Sequence, residues 1–566
     1  MREVHRVGNQ PGALSDEDGE YWEVTTQDGT RYYFGREYIP GNGTNLGSSL
    51  RVPVRHPIPG TPCYSNPNQF CYQAWRWNLD AVIDASGNTM RIVHVKEVNN
   101  YGIQGNDNAP VVYDRASVPL YINYGAVPGQ YWGNQLVYFG YQWRCGSGGY
   151  WDTNAGQPDA CASYPPDPTT VAQYPDTPVD LLCWNAPCVQ DLPSFFTANR
   201  MRGIFTYVIN VPVTNPITWR TVDEVRLSHE YPGAAFGSST KMWLRYIQRF
   251  GYSGQTGANG WTIESLPAVR MDSLVYSLPN RAGFAGTADG MYMYRVDRIT
   301  DELGSQTDIA YSQPDGCQMT TPSPSWQANR SNCFPRWYGG AWAIFNRYVV
   351  SSVTMADKTG DGSPPQVWQY TYNDDGAWHY DDDPLRAQQT WSDWRGYGDV
   401  TVTRPAIAAN GGYPATPAQV TQHRFFRGMY ADENGGAPYP PQLSSVLTGE
   451  LFYDHNGLAG EEYETLSRDS SAAGQVLNST MNVYDVIPAR TINATPPRLS
   501  AQMFRPVRND TWYWISGASY GVSRTTSTFN AFGQPASVEE RGNGFAVGDE
   551  RCTTWSYAIQ NQTSWL

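Results

Sequence analysis

Along much of the chain apolar and polar residues alternate with a period of two, the spacing of a strand that buries one face. In Gln366-Val367-Trp368-Gln369-Tyr370-Thr371-Tyr372 the three rings of Trp368, Tyr370 and Tyr372 fall on one face, with smaller or polar residues on the other. From Tyr21 to Gly35 the alternation flanks Asp28-Gly29, a strong hairpin signal, and puts Trp22 and Val24 on a common face. A related turn pattern recurs between β-type segments: Asp84 with Gly87, Asp301 with Gly304, Asp357 with Gly360, Asp454 with Gly457 and Asn530 with Gly533. Asp or Asn at the first turn position can bond the turn's own amides, and Gly at the fourth accepts a positive φ where the chain re-enters a strand. The best helical candidate, Pro193 to Arg202, fits a strand approach equally well. The expectation is an all-β chain of successive antiparallel hairpins in an extended sheet, with long Pro/Gly loops and under about a tenth in helix.

Composition sharpens this picture. Aromatic residues make up 14% of the chain, with 39 Tyr and 21 Trp, while 54 Gly and 41 Pro interrupt it at short intervals, which favours strands and turns over long helices. At 566 residues the chain exceeds what one core supports, so two to four packed units or one extended repetitive architecture is expected. Asn280-Arg281-Ala282-Gly283 precedes a denser series of turn motifs and suggests a boundary near residue 285. Residues 1–285 then form an amino-terminal β-rich region with stapled loops, and 286–566 a repeat-like sheet region. The pattern is already in progress at Met1, and Thr553 to Leu566 stops inside strand-like sequence, the expectation for a piece of something longer.

Charged residues are only 16% of the chain, and the mean hydropathy of −0.53 shows that its polarity comes from neutral hydrogen-bonding groups. A formal net charge of −14, with Lys96, Lys241 and Lys358 as the lysines, argues against a nucleic-acid partner. No apolar run reaches the ~20 residues of a membrane span, and residues 1–40 lack the pattern of a signal peptide. Cys63, Cys71, Cys145, Cys161, Cys183, Cys188, Cys317 and Cys333 fall as neighbours around short loops, and Cys552 stands apart. This spacing suggests local disulfide staples and an oxidising compartment; Cys183 and Cys188 lack the C-x2-C or His partners of a zinc site.

Tyr453-Asp454-His455-Asn456-Gly457 has the form Tyr-Asp, two residues, Gly, and Phe529-Asn530-Ala531-Phe532-Gly533 is a degenerate version. Together with Gly376-Ala377-Trp378-His379-Tyr380-Asp381 and Trp391-Ser392-Asp393-Trp394-Arg395-Gly396-Tyr397, these motifs resemble the long secreted Rhs/YD-repeat proteins of Gram-positive bacteria, most firmly from about residue 290 onward. The resemblance implies a sheet that spirals into a shell around a carboxy-terminal cargo, often a toxin, with the downstream part of the same polypeptide as the main partner. The family's carboxy-terminal Arg-Tyr-Tyr-Asp-Pro run is absent, and Asp383-Pro384 lies mid-chain in an acidic turn, so cargo and self-cleavage do not carry over. What carries over is a secreted or surface-exposed, non-enzymatic scaffold.

Several patterns mimic chemistry. Gly517-Ala518-Ser519-Tyr520-Gly521 matches a nucleophile elbow, but Val522 to Phe529 is strand-like and the last histidine, His455, lies upstream. Asp357-Lys358-Thr359-Gly360-Asp361-Gly362 resembles part of a calcium loop, with Thr359 and Trp368 where carboxylates are usual, and a hairpin turn is the favoured reading. His229-Glu230 lacks the second histidine of a zincin. Asp381-Asp382-Asp383 near Trp378, Trp391 and Trp394 fits the pattern of a carbohydrate site, but three adjacent acids before Pro384 favour a solvated edge, and a cell-surface glycan or cell-wall ligand stays the alternative partner. No residue is assigned as catalytic, cofactor-binding or metal-binding, and no cofactor is expected.

Overall fold

The computed structural model describes residues 2–5, 19–37, 46–55, 63, 70–130, 132–145, 165–209, 218–231, 241–255, 261–272, 277–284, 288–318, 329–360, 362–381, 388–410, 412–430, 442–491, 500–530, 533–544 and 546–557. The chain is all-β and antiparallel, and its described helical segments are short 3-10 turns such as Ile103–Gly105 and Pro168–Gln173. Pro193 to Arg202 is no helix: it leads into the strand Asn199–Ile209. Described residues 2–231 with 241–271 form one compact unit, and 272–557 a second.

In the first unit nine sheet strands pair in chain order. Glu20–Thr25, Arg31–Phe34, Leu79–Ile83, Thr89–Tyr101, Val111–Ala126, Gln135–Trp143, Asn199–Ile209, Trp219–Glu230 and Trp243–Gln255 form one meander. Two insertions leave it. The hairpin Ser49–Val54 with Cys71–Trp77 interrupts the path from Phe34 to Leu79, stapled by the Cys63–Cys71 disulfide. A longer insertion before Asn199 has its own small core of Cys145, Tyr174, Val179 and Leu182, and the Cys183–Cys188 disulfide. Cys145 is also disulfide-bonded; Cys161 lies outside the described residues.

The second unit repeats a simpler plan. Sheet strands Arg298–Thr300, Gln306–Ser312, Val349–Ala356, Gln366–Tyr372, Asp399–Arg404, Gln419–Phe425, Glu462–Arg468, Val476–Thr491 and Ser500–Ser516 pair successively. Ser519–Phe529, Pro535–Arg541 and Glu550–Thr554 extend the meander. Between Gln306–Ser312 and Glu462–Arg468 the chain makes a side hairpin at every second connection before returning to the sheet. These side hairpins are Cys333–Tyr338 with Ala341–Asn346, Ala377–Tyr380 with Trp391–Gly396, and Gln442–Ser444 with Leu451–Tyr453. The Cys317–Cys333 disulfide fixes the root of the first.

Short connections between neighbouring sheet strands in both units use the turn chemistry read from sequence. At Asp301 the side chain accepts the N–H groups of Leu303 (2.9 Å) and Ser305 (2.8 Å), the backbone carbonyl accepts the N–H of Gly304, and Gly304 takes φ +93°. Asp84 with Gly87 and Asn530 with Gly533 close turns in the same way. Asp301→Ala removes two side-chain bonds at a solvated turn where water replaces part of them, so a loss of about 1 kcal/mol is expected. A urea titration of Asp301→Ala beside Asp301→Asn checks this, with the Asn variant close to the parent.

Candidate functional site: a carboxylate-clamped edge in the second unit

The roots of the three side hairpins are tied together by aspartates. Asp315, just beyond the strand Gln306–Ser312, accepts the N–H of Gly376 (3.0 Å) and the hydroxyl of Tyr397 (2.7 Å) through one oxygen. Asp374, just beyond Gln366–Tyr372, accepts the N–H groups of Gly398 and Asp399 at 3.1 Å and pairs with Arg427 Nη1 at 2.9 Å. Asp454, at the end of the third side hairpin, accepts the N–H groups of Arg427 (2.7 Å), Gly428 (2.6 Å) and Met429 (3.1 Å). Each carboxylate thus satisfies amides where the chain leaves the sheet and cannot use ladder partners.

Packing accounts for the side hairpins' sequences. Trp378, only 2% exposed, stacks on Phe334 (4.7 Å), meets Trp394 (4.7 Å) and donates its indole N–H to the Ser331 carbonyl (2.9 Å). The third side hairpin buries Phe452 against Phe426 and Tyr463, with Leu458 and Met481 in the same cluster. Gly457 serves this packing: a Cβ there would lie 1.9 Å from the Phe504 ring. The clusters hold the hairpins down while the carboxylates fix their ends.

Between the roots lies a cleft of about 300 Å³ lined by Arg330, Asp374, Asp375, Asp399, Arg424 and Tyr463, among others. Its charges are paired within the protein: Arg330 with Asp375 (2.9 Å), Arg427 with Asp374, and Arg424 with Asp399 (3.6 Å) and Glu464 (3.7 Å). Burial pushes the Asp374 carboxyl up against the pull of Arg427, and burial likewise raises the Tyr463 phenol. The Arg330–Asp375 pair is about half exposed, whereas Arg427 and Arg424 are largely buried, so loss of their acidic partners would leave them stranded.

The motifs singled out in the sequence land in different places. Ser519 begins a strand after the tight turn at Gly517 (φ +55°), so Gly517-Ala518-Ser519-Tyr520-Gly521 is a hairpin tip and lacks the strand-to-helix geometry of an elbow. Asp357 accepts the N–H of Thr359 (2.7 Å) and acts as a turn residue; Asp361 lies outside the described residues. Cys183 and Cys188 are joined to each other, while Cys552 is free and exposed. His229 is half-buried on the strand Trp219–Glu230, and burial with nearby Arg200 and Arg144 pushes its imidazole down to about 4. Asp382, Asp383 and Pro384 lie outside the described residues. Trp378 and Trp391 are buried, so these rings are interior packing and not a sugar-stacking surface.

Asp454 departs most from expectation. Its Tyr-Asp motif is no sheet-joining turn: it leads into the 3-10 turn Asn456–Leu458, and its carboxylate is 1% exposed. The sequence signal for the clamp is an aspartate at each side-hairpin root, at Asp315, Asp374 and Asp454, which becomes visible only once the roots are located. No helix among the described residues is long and apolar enough to cross a membrane.

No known family model matches the chain, and no curated protein matches it. Among solved structures it is similar to the TcdB2-TccC3 crystal structure, with TM-score 0.42 and 10% identity over 99% of this chain and 42% of the other. It is also similar to the Tc holotoxin pore of Photorhabdus luminescens, with TM-score 0.40 and 10% identity over 94% and 37% of the respective chains. The chain spans less than half the length of either. A likeness this weak establishes neither a shared fold nor a shared role.

Proposed function

We propose that this chain is the non-enzymatic scaffold portion of a secreted Rhs/YD-repeat protein, a shell segment that encloses or presents a carboxy-terminal effector carried elsewhere in the same polypeptide. The observation that carries the reading is the repeated plan of the second unit, in which paired sheet strands alternate with side hairpins. Such a plan grows by addition: each repeat extends the sheet by two strands and adds a side hairpin at one edge. The aspartate clamps support a role in which the edge must hold its form. The disulfides Cys63–Cys71, Cys183–Cys188 and Cys317–Cys333 suit an oxidising, extracellular compartment.

Limited proteolysis of the full gene product, followed by mass spectrometry, tests the proposal. The sheet strands are expected to survive as a resistant block, and the effector segment to become cleavable only when denaturant unfolds that block. An effector segment digested as fast within the full product as when expressed alone would overturn the enclosing role.

A further inference from the structure

The second unit also carries a pocket at the strand ends opposite the clamp aspartates, where the strands Gln366–Tyr372, Asp399–Arg404 and Gln419–Phe425 reach their turn ends. Arg404 pairs directly with Gln419, and the register of Gln369 with Thr403 puts Trp368 opposite Arg404 on its other side. Directly opposed residues share a face, as do residues two apart on one strand, so Gln366, Trp368, Arg404 and Gln419 form one patch. The guanidinium lies over the Trp368 ring at 5.2 Å and donates to Gln419 Oε1 (3.0 Å) and Gln366 Oε1 (3.3 Å). No carboxylate among the described residues lies within ion-pair distance of it. Both glutamines use their oxygens on Arg404, which leaves their amide N–H groups as donors beside a positive charge.

Over this patch residues 405–410 and 412–417 form an arm, held by the pairing of Ile407 with Thr416 and of Asn410 with Tyr413. Tyr413 and Pro414 of the arm, with Pro364 and Pro405, wall a pocket of about 290 Å³. A small ligand suited to it has one negative charge, several hydroxyls to accept from neutral donors, and an apolar face for the Tyr413 and proline rings. That combination describes a carboxylated pyranose. A simple carboxylate would leave the ring surfaces unused, and a neutral sugar would leave the charge uncompensated.

We infer that this pocket binds a hexuronate-type acidic sugar, with Arg404 receiving the carboxylate, Gln366 and Gln419 donating to hydroxyls, and Tyr413 covering one ring face. The inference stands independently of the scaffold reading, because it concerns a pocket and not the sheet plan. The chain's net charge of −14 opposes general attraction of anions, so recognition rests on this local charge and is modest in strength.

The test is saturation-transfer NMR and calorimetry on the full chain with methyl β-glucuronide, its neutral counterpart methyl β-glucoside, a hexuronate oligosaccharide, and a tripeptide with a free carboxylate. Glucuronide is expected to bind with a Kd on the order of 1 mM, and glucoside ~10-fold or more weakly, the ratio set by one charge-assisted bond. Arg404→Gln should erase that ratio while keeping the thermal midpoint. Tyr413→Ala, on the exposed arm, should weaken both sugars and serves if Arg404→Gln does not fold. Tighter binding of the oligosaccharide than of the monosaccharide marks a glycan chain as the source, and the reverse order marks the free acid; both support the site. The inference fails if neither acidic sugar binds, if glucuronide and glucoside bind alike, if Arg404→Gln keeps the discrimination, or if the tripeptide binds as well as glucuronide.

Discussion

Asp454→Ala is expected to destabilise the second unit by roughly 3 kcal/mol or more, the largest effect among the substitutions considered. The carboxylate is 1% exposed and accepts three consecutive backbone N–H groups, those of Arg427, Gly428 and Met429. Alanine leaves these donors facing a cavity. Each buried donor without a partner costs about 1–3 kcal/mol, and water entering the cavity returns only part of the loss. Asp454→Asn should fall between alanine and parent, because its carbonyl oxygen still accepts while its amide group meets donors. Chemical denaturation followed by tryptophan fluorescence measures the effect, and backbone hydrogen exchange should quicken first at 427–429. A D454A midpoint indistinguishable from the parent would show that the clamp carries no load.

Much of the sheet could be read in the sequence because strands and turns are local. Trp368, Tyr370 and Tyr372 fall two apart, and Asp301 with Gly304 carries its turn within four residues. The cysteines paired as neighbours for the same reason: Cys183 and Cys188 close a short loop that chain proximity already favours. Where the reading went astray, the deciding partner is remote in sequence. Asp454 and Asn530 present the same Asx-x-x-Gly spacing, yet Asn530 bonds its own turn while Asp454 bonds amides 25–27 residues earlier. Trp378 sits among acids and polar residues that suggest an exposed ring, but it packs on Phe334 and Trp394 and bonds Ser331, 47 residues away. Alternation tells which residues share a face. It does not tell whether a side hairpin will fold over that face, and this separates an interior tryptophan from a ligand-stacking one.

In the first unit, Asp80→Asn is expected to stabilise the protein by up to roughly 3 kcal/mol at pH 8 and to change little near pH 4. Asp80 is fully buried; one oxygen accepts the N–H of Glu37 (2.9 Å) and the hydroxyl of Ser48 (2.7 Å), while the other has no hydrogen-bond partner among the described residues. Burial pushes its carboxyl up to about 6, outweighing those hydrogen bonds and the nearby Arg36, and Glu37 adds a like charge. Glu37 is itself raised by burial, though Lys96 lies 3.2 Å away and opposes the rise. Because the folded-state value is higher than the unfolded one, the protonated acid is favoured by folding. The stability it contributes is fully present below about pH 4 and is lost as pH rises through about 6. Asparagine resembles the protonated form in shape and charge at every pH and keeps an oxygen for the two donors, so it removes that loss. Burying its amide group returns part of the gain, which makes the figure an upper value. Thermal midpoints of parent and variant at pH 4, 6 and 8 should therefore diverge as pH rises. Parallel curves, or a variant that loses stability relative to the parent above pH 6, would mean that Asp80 is ionised and well solvated in the fold.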